Sequence, residues 1–248
     1  MTSSSRSLKA MPRLDVLLTK SGRIESRQRA QALILAGKVQ VAGETVRRPD
    51  RPVREDEVIT VDESPGYASR GALKLGPALD HFQVDPRGRV CADIGASTGG
   101  FTDVLLRRGA VKVFAIDVGR GLIHWRLRQD PRVMVIERVN ARDLDSFPEP
   151  VSLVVIDVSF ISLEKVLPAL RRAGPEAQVV ALFKPQFEVG KAEVGKGGIV
   201  RDRGAVEAAL QRFRDWCQAN GYRVVGESAS EITGAQGNQE FFLHLEPM

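Results

Sequence analysis

From residue 89 onward the chain alternates apolar runs with amphipathic stretches. RVCADIG (89–95), KVFAIDV (112–118), RVMVIERV (132–139), VSLVVIDV (151–158) and QVVALFKP (178–185) are nearly continuous in apolar residues. That pattern belongs to strands covered on both faces of a parallel sheet. Between them, FTDVLLRRG, LIHWRLRQD and SLEKVLPALRRAG carry helical spacing, and a longer amphipathic helix is predicted over about 203–220. YRVVGESAS and EFFLHLEP then close the chain as an antiparallel pair. The repeated βα order predicts a doubly wound, Rossmann-like α/β fold that takes its ligand at the carboxyl ends of the strands.

Residues 12–63 follow a different pattern. PRLDVLLTKSG places Leu14, Leu17 and Leu18 at helical spacing before a Ser-Gly break. ESRQRAQALILAG predicts a second helix, with Ser26 as N-cap, an Ala30, Leu33 and Ile34 stripe, and Gly37 as the stop. KVQVAGETV alternates about an Ala-Gly-Glu turn as a hairpin does, and DEVITVD supplies a closing strand. A small α+β domain therefore precedes the larger one. DESPGYASRG (62–71), broken by Pro65 and Gly66, carries the linker, placed at 64–68, so that the second domain spans 69–248.

Charge sharpens this division. Residues 6–48 hold ten Lys or Arg against three Asp or Glu, whereas the remainder carries 26 basic and 28 acidic residues. A basic module on a nearly neutral body suggests a nucleic-acid grip, with a solvated basic face as the equal alternative. Hydrophobic content of 43% supports a sizeable core. No stretch approaches the ~18 consecutive apolar residues of a membrane span, so a cytoplasmic protein with no membrane partner is expected. The two cysteines make no disulfide framework, and Cys91 reads as a buried thiol. No His/Cys cluster has metal-ligand spacing, so no metal is expected.

The candidate chemistry begins at DIGASTGGFTD (93–103), which leaves the first strand of the second domain and enters a helix. The loop lacks the Gly-Lys-Ser/Thr ending of a triphosphate-binding loop. It also lacks the second glycine of a dinucleotide fingerprint, because Ser97 stands there. Asp117, 24 positions after Asp93, ends the next strand, where an acid accepts hydrogen bonds from ribose hydroxyls. An acid-led glycine loop with a ribose acid and no pyrophosphate features fits S-adenosylmethionine, and hence a class I methyltransferase domain. The expected cofactor contacts are Asp93, Gly95, Ala96, Ser97, Thr98, Gly99, Gly100, Phe101 and Asp117. Asn140 and Ala141 are placed beside the adenine, a turn-forming role for Asn140 being equally open. Glycines would admit the methionine moiety, and backbone N–H groups at the helix start would hold its carboxylate.

The methyl acceptor is read from charges at element ends. The fourth strand ends in IDVSF, without the Pro-Pro of amine methyltransferases, and neither cysteine is placed as a nucleophile. Asp157 ends the fourth strand and Lys184 the fifth. Lys74 lies in the basic segment SRGALKL, and Glu240 enters the last strand. Each also reads as a surface charge or cap, least readily Lys184, between a buried run and a proline. A ribose hydroxyl needs a base, and a lysine serves if burial and a nearby positive charge lower its pKa. Lys184 with Lys74 near it, both oriented by Asp157 and Glu240, would fit a hydroxyl.

Two resemblances add to this reading. RLD and GKVQVAG, in their helix–helix–hairpin–strand setting, resemble the RNA-binding domain of ribosomal small-subunit protein four. This implies that Arg13, Lys20, Arg27, Arg29 and Lys38 face RNA, with Arg70 of SRGALKL expected to join them. From residue 12 on, YASRGALKL, DIGASTGGFTD, IDVSFISL, LFKPQFEVG and GNQEFFLHL resemble the haemolysin-A (TlyA-type) ribosomal RNA 2′-O-ribose methyltransferases. That likeness implies a Lys74, Asp157, Lys184 and Glu240 catalytic set. It also implies methylation of cytidine ribose in the rRNA of assembled ribosomal subunits. A non-catalytic ribosome assembly factor and a membrane-active haemolysin are the alternative readings. FEVGKAEVGKGGIVRD (187–202), with four glycines, is expected to be a flap or an exposed loop. The sequence leaves the oligomeric state open.

Overall fold

The computed structural model describes residues 11–24, 26–54, 56–61 and 66–248. They form two compact units that divide between Gly66 and Tyr67.

The first unit packs α1 (Leu14–Lys20) and α2 (Arg27–Leu35) on a three-stranded antiparallel sheet of β1 (Val39–Val41), β2 (Glu44–Val46) and β3 (Ile59–Val61), in the order β2-β1-β3. Ala42 and Gly43, both at positive φ (50° and 84°), make the two-residue turn that joins β1 to β2. Ser26 caps α2, its Oγ accepting from the Arg29 N–H at 3.2 Å. Leu14, Leu18, Ala30, Ile34, Val39 and Val41 are fully buried between the layers. Within this apolar core lies Asp15, itself fully buried. Arg13 donates to both of its oxygens, and Arg27 and Gln31 donate to Oδ2 at 3.0 and 2.7 Å. These donors, Arg13 first among the causes, hold its carboxyl far below the usual carboxylate range.

The second unit is a seven-stranded sheet. β4 (Val90–Ile94), β5 (Lys112–Asp117), β6 (Val133–Glu137), β7 (Leu153–Ile156) and β8 (Gln178–Phe183) are parallel. β9 (Tyr222–Ala229) and β10 (Phe241–Pro247) complete it antiparallel, in the order β6-β5-β4-β7-β8-β10-β9. α3 (Ala72–Phe82) and α4 (Gly100–Arg107) cover one face through Leu75, Leu79 and Leu105. α6 (Leu167–Ala173) and, after the one-turn α7 (Pro185–Glu188), α8 (Arg203–Ala219) cover the other through Leu167, Leu170, Phe213 and Cys217. The fold is thus doubly wound, and the strand order reverses at β4, leaving a crevice between the ends of β4 and its neighbours.

Two helices are shorter than the apolar pattern predicts. α5 is one turn, Trp125–Arg128, because the His124 imidazole caps it at the Arg126 N–H. SLEKVLPALRRAG splits into a 3₁₀ turn at Leu163–Lys165 and α6. Pro168 has no N–H with which to continue the preceding turn. Both cysteines are buried free thiols, pushed up to about 12 by burial.

Candidate active site

A cleft of about 280 Å³ opens at the carboxyl ends of β4, β5 and β7. Gly95, Ser97, Asp117, Asn140, Ala141 and Asp157 line it, and Ile94, Ile116, Val118, Leu122, Val139 and Ile161 supply its apolar walls. Gly95 sits at φ +82°, and a Cβ there would lie 2.5 Å from the carbonyl oxygen of Asp157. Its lack of a side chain lets β4 and β7 meet at the crevice, before any ligand is considered. Asp117 organises the opposite wall. Its Oδ2 accepts from the Ser97 N–H at 2.8 Å and its Oδ1 from the Gly119 N–H at 2.7 Å. Asn140 caps the following 3₁₀ turn, accepting from the Arg142 N–H.

The remaining loop positions read as cofactor contacts are not among the residues that line the cleft. Asp93 is fully buried, and its Oδ2 accepts from the Thr102 N–H at 2.8 Å and the Thr102 hydroxyl at 2.6 Å. Its Oδ1 has no hydrogen-bond partner among the described residues. Burial pushes this carboxyl up to about 7, against the two Thr102 hydrogen bonds. Asp93 therefore pins the start of α4 through the two hydrogen bonds it accepts from Thr102. Ala96 and Phe101 are buried, Phe101 against Phe242. The Thr98 carbonyl accepts from His124 N–H. Gly99 abuts Leu127, and Gly100 abuts Ser69. The loop's glycines serve close packing around the helix start.

The charges at the element ends form two ion pairs. Lys184 Nζ lies 2.6 Å from Asp157 Oδ1, without hydrogen-bond alignment, and donates to Ser159 Oγ at 2.9 Å. Lys184 is only 7% exposed. Lys74 Nζ donates to Glu240 Oε2 at 2.6 Å, with the Glu240 side chain 3% exposed. Strand register relates the pairs. Phe241 pairs with Phe183, so Glu240 and Lys184 are the next residues at that end of β10 and β8. Likewise Ile94 pairs with Ile156, which sets Gly95 beside Asp157. Ser159 escapes a reading of the sequence, since a serine after a strand reads as a turn. Among the described residues, no group of three or more His, Cys, Asp or Glu is placed to hold a metal ion.

Segment 187–202 is anchored at both ends. Glu188 accepts from the Leu163 N–H at 2.9 Å, its carboxyl pushed up to about 7 by burial. Asn238 holds Gly198 and Val200. Of the basic residues assigned to RNA, Lys20, Arg29 and Arg70 are exposed and Lys38 is half-buried. Arg13 and Arg27 are half-exposed but bound to Asp15, so they are fixed in place and partly neutralised.

The FtsJ-like methyltransferase family model matches residues 67–246, and the S4 domain model matches residues 12–59. A 16S/23S rRNA (cytidine-2′-O)-methyltransferase, TlyA of Mycobacterium tuberculosis, is 48% identical over 94% of this chain and 89% of its own length. The chain belongs to the TlyA family of ribosomal RNA methyltransferases. Another relative, named Hemolysin A, from Brachyspira hyodysenteriae, is 40% identical over 94% of this chain and 99% of its own. A solved structure described as a putative hemolysin from Streptococcus thermophilus matches with a TM-score of 0.72 and 42% identity. It covers 96% of this chain and 90% of that one. The haemolysin label thus recurs among its relatives. Among the described residues no helix is long and apolar enough to cross a membrane.

Proposed function

We propose that the chain methylates the 2′-hydroxyl of a cytidine ribose in ribosomal RNA, using S-adenosylmethionine, with Lys184 as the general base. The observation that carries this reading is the two largely buried ion pairs, Lys184–Asp157 and Lys74–Glu240, at the end of the sheet where the cleft opens, with Asp157 itself lining the cleft. The relatives' names support the same substrate.

The cleft suits the cofactor. Asp117 presents a carboxylate at the end of β5, where a ribose diol binds, and the apolar walls beside Asn140 suit an adenine. When bound, the cofactor supplies an electrophilic methyl group on a sulfonium. The chain's residues do the rest. After giving its ammonium proton to solvent, Lys184 Nζ accepts the hydroxyl proton as the oxygen attacks the methyl carbon, and Asp157 stabilises the ammonium that is restored. Ser159 fixes the direction of Nζ. Glu240 holds Lys74 at the same edge, where its charge stabilises the developing alkoxide.

In this reading 12–63 is the RNA-binding module and 69–248 the catalytic domain. The joining residues are 64–68, of which 64 and 65 fall outside the described residues. The basic residues of the first module grip phosphates and position the RNA without reading its sequence. Assembled ribosomal subunits in the cytoplasm are the proposed substrates.

Substituting Lys184→Ala tests the base. Transfer of tritiated methyl groups to ribosomal subunits falls by at least ~10²-fold, while cofactor affinity by calorimetry stays within about twofold. The near-isosteric Lys184→Met variant behaves the same way if the lost function, and not a cavity, is responsible. Full transfer by either variant overturns the assignment.

A further inference from the structure

Beside the charged edge lies a second groove, of about 440 Å³, lined by Pro185, Val200, Arg201, Arg203, Gln239 and Phe241 among others. It is contiguous in the chain with the site just described. Pro185 follows Lys184, and Gln239 and Phe241 flank Glu240. Neighbouring Cα atoms are ~3.8 Å apart, so the groove begins one residue step from two of the four charges.

The rim of this groove is basic. Several arginines of the second unit are held in ion pairs, among them Arg108 with Asp80, Arg132 with Asp130, Arg214 with Glu227 and Arg223 with Glu246. Arg201 and Arg203 are exposed, and neither has a hydrogen-bond or ion-pair partner among the described residues. The nearby carboxylates are committed elsewhere. Asp202 caps α8, accepting from the Gly204 and Ala205 N–H groups. Glu207, also on the groove, pairs with Arg214.

The backbone that carries the arginines is held firmly. Asn238 is 3% exposed and uses both ends of its amide. It donates Nδ2 to the Gly198 carbonyl at 2.7 Å and accepts from the Val200 N–H at 2.9 Å. Arg201 follows that clamped residue, and Arg203 opens the 17-residue α8. Two guanidinium groups are thus presented from fixed positions over an apolar floor of Pro185, Val200 and Phe241.

We infer that this groove binds the RNA phosphodiester that flanks the target ribose, with Arg201 and Arg203 clamping its oxygens. The inference rests on the ribose-methylation reading. A 2′-hydroxyl stands only a few bonds from the 3′-phosphate of its own nucleotide, so a base that reaches the hydroxyl has a phosphate beside it. A planar guanidinium with free donors is the side chain that matches phosphate oxygens two at a time. The contact sets the sugar's position against Lys184 and carries no base preference.

The test uses the full-length protein with ribosomal RNA and the double variant Arg201→Ala/Arg203→Ala. Its affinity for rRNA falls by about tenfold, the loss appears in KM for RNA, and cofactor affinity is unchanged, which also shows that the domain is folded. The slope of log affinity against log salt becomes shallower by about 0.7–0.9, the value of one phosphate contact. The variant Arg201→Lys/Arg203→Lys restores the slope, since the charge returns. An unchanged RNA affinity and salt slope in the alanine variant overturns the inference. So does an effect confined to binding of inorganic phosphate, which would make the groove a site for a free anion. If the wild type binds rRNA but transfers no methyl group, the ribose-methylation reading fails. The groove is then judged on the RNA salt slope alone.

Discussion

Substituting Gly95→Ala asks whether the loop's leading glycine exists for the ligand or for the sheet. The residue sits at φ +82°, where a Cβ costs ~1–2 kcal/mol by itself. The added methyl would lie 2.5 Å from the Asp157 carbonyl oxygen and 2.9 Å from its carbon. Ordinary contact begins near 3.4 Å, so the ends of β4 and β7 must part by roughly 0.9 Å. Backbone atoms yield poorly, and overpacking of this kind costs a further ~1–3 kcal/mol. The expected loss of stability is therefore ~2–5 kcal/mol. The displaced residue carries the carboxylate that holds Lys184, and a 1 Å error at such a group costs ~10²-fold in rate. Gly88→Ala is the control. Gly88 has φ +71°, but a methyl group there would meet nothing within 4 Å, so only the ~1–2 kcal/mol conformational cost applies. Denaturant unfolding and tritiated methyl transfer measure both variants. Equal destabilisation by the two substitutions, with transfer retained in Gly95→Ala, would refute the reasoning that this contact sets Asp157.

Two further predictions concern buried carboxylates. Asp15→Asn replaces an acceptor of four donated hydrogen bonds with a group that meets those donors with an amide. It destabilises the first unit by about 2 kcal/mol, a figure kept low because Arg13 and Arg27 are half-exposed. Unfolding of the full chain reads this, and rRNA affinity falls with it as the two arginines lose their anchor; an unaltered first unit contradicts the assignment. Asp93 gives a pH dependence of defined sign. Folded, it keeps its proton up to about pH 7, against an ordinary value of 3.8, so the native state binds the extra proton between these limits. Stability of the second unit therefore falls as pH rises from about 4 to about 7 and levels off above. Glu188, also raised to about 7, acts in the same direction. Asp93→Asn flattens the slope in urea titrations across that range, and an identical slope in the variant contradicts the account.

How much of the molecule is legible in its sequence follows from which forces act locally. The five parallel strands are legible because burial on both faces leaves an unbroken apolar signature. The apolar pattern overextends α5 and α6, since such spacing does not register a histidine cap or a proline's missing N–H. Lys184 stands out because a lysine after a buried run is costly unless it has a partner, and Asp157 is that partner. Lys74 and Glu240, 166 positions apart, stand out only as charges at element ends, because no local pattern encodes their direct pairing, a contact made by sheet closure. Asp15 is invisible, since an acid in a first helical turn reads as a cap and its burial arises only when α1, α2 and Arg13 assemble. The loop at 93–101 is legible as a place. Its division between cleft-lining Gly95 and Ser97 and the packing positions that do not line the cleft depends on neighbours distant in sequence.

The central claim is that the methyl group goes to a ribose oxygen. Ribosomal subunits labelled with tritiated S-adenosylmethionine by this protein, then digested in alkali, test it most directly. A 2′-O-methyl group blocks cleavage of the adjoining phosphodiester, so the account predicts that the label remains in alkali-resistant dinucleotides whose modified residue is cytidine. It also predicts that no such label forms with Lys184→Ala. Label released as methylated base in mononucleotides would contradict it.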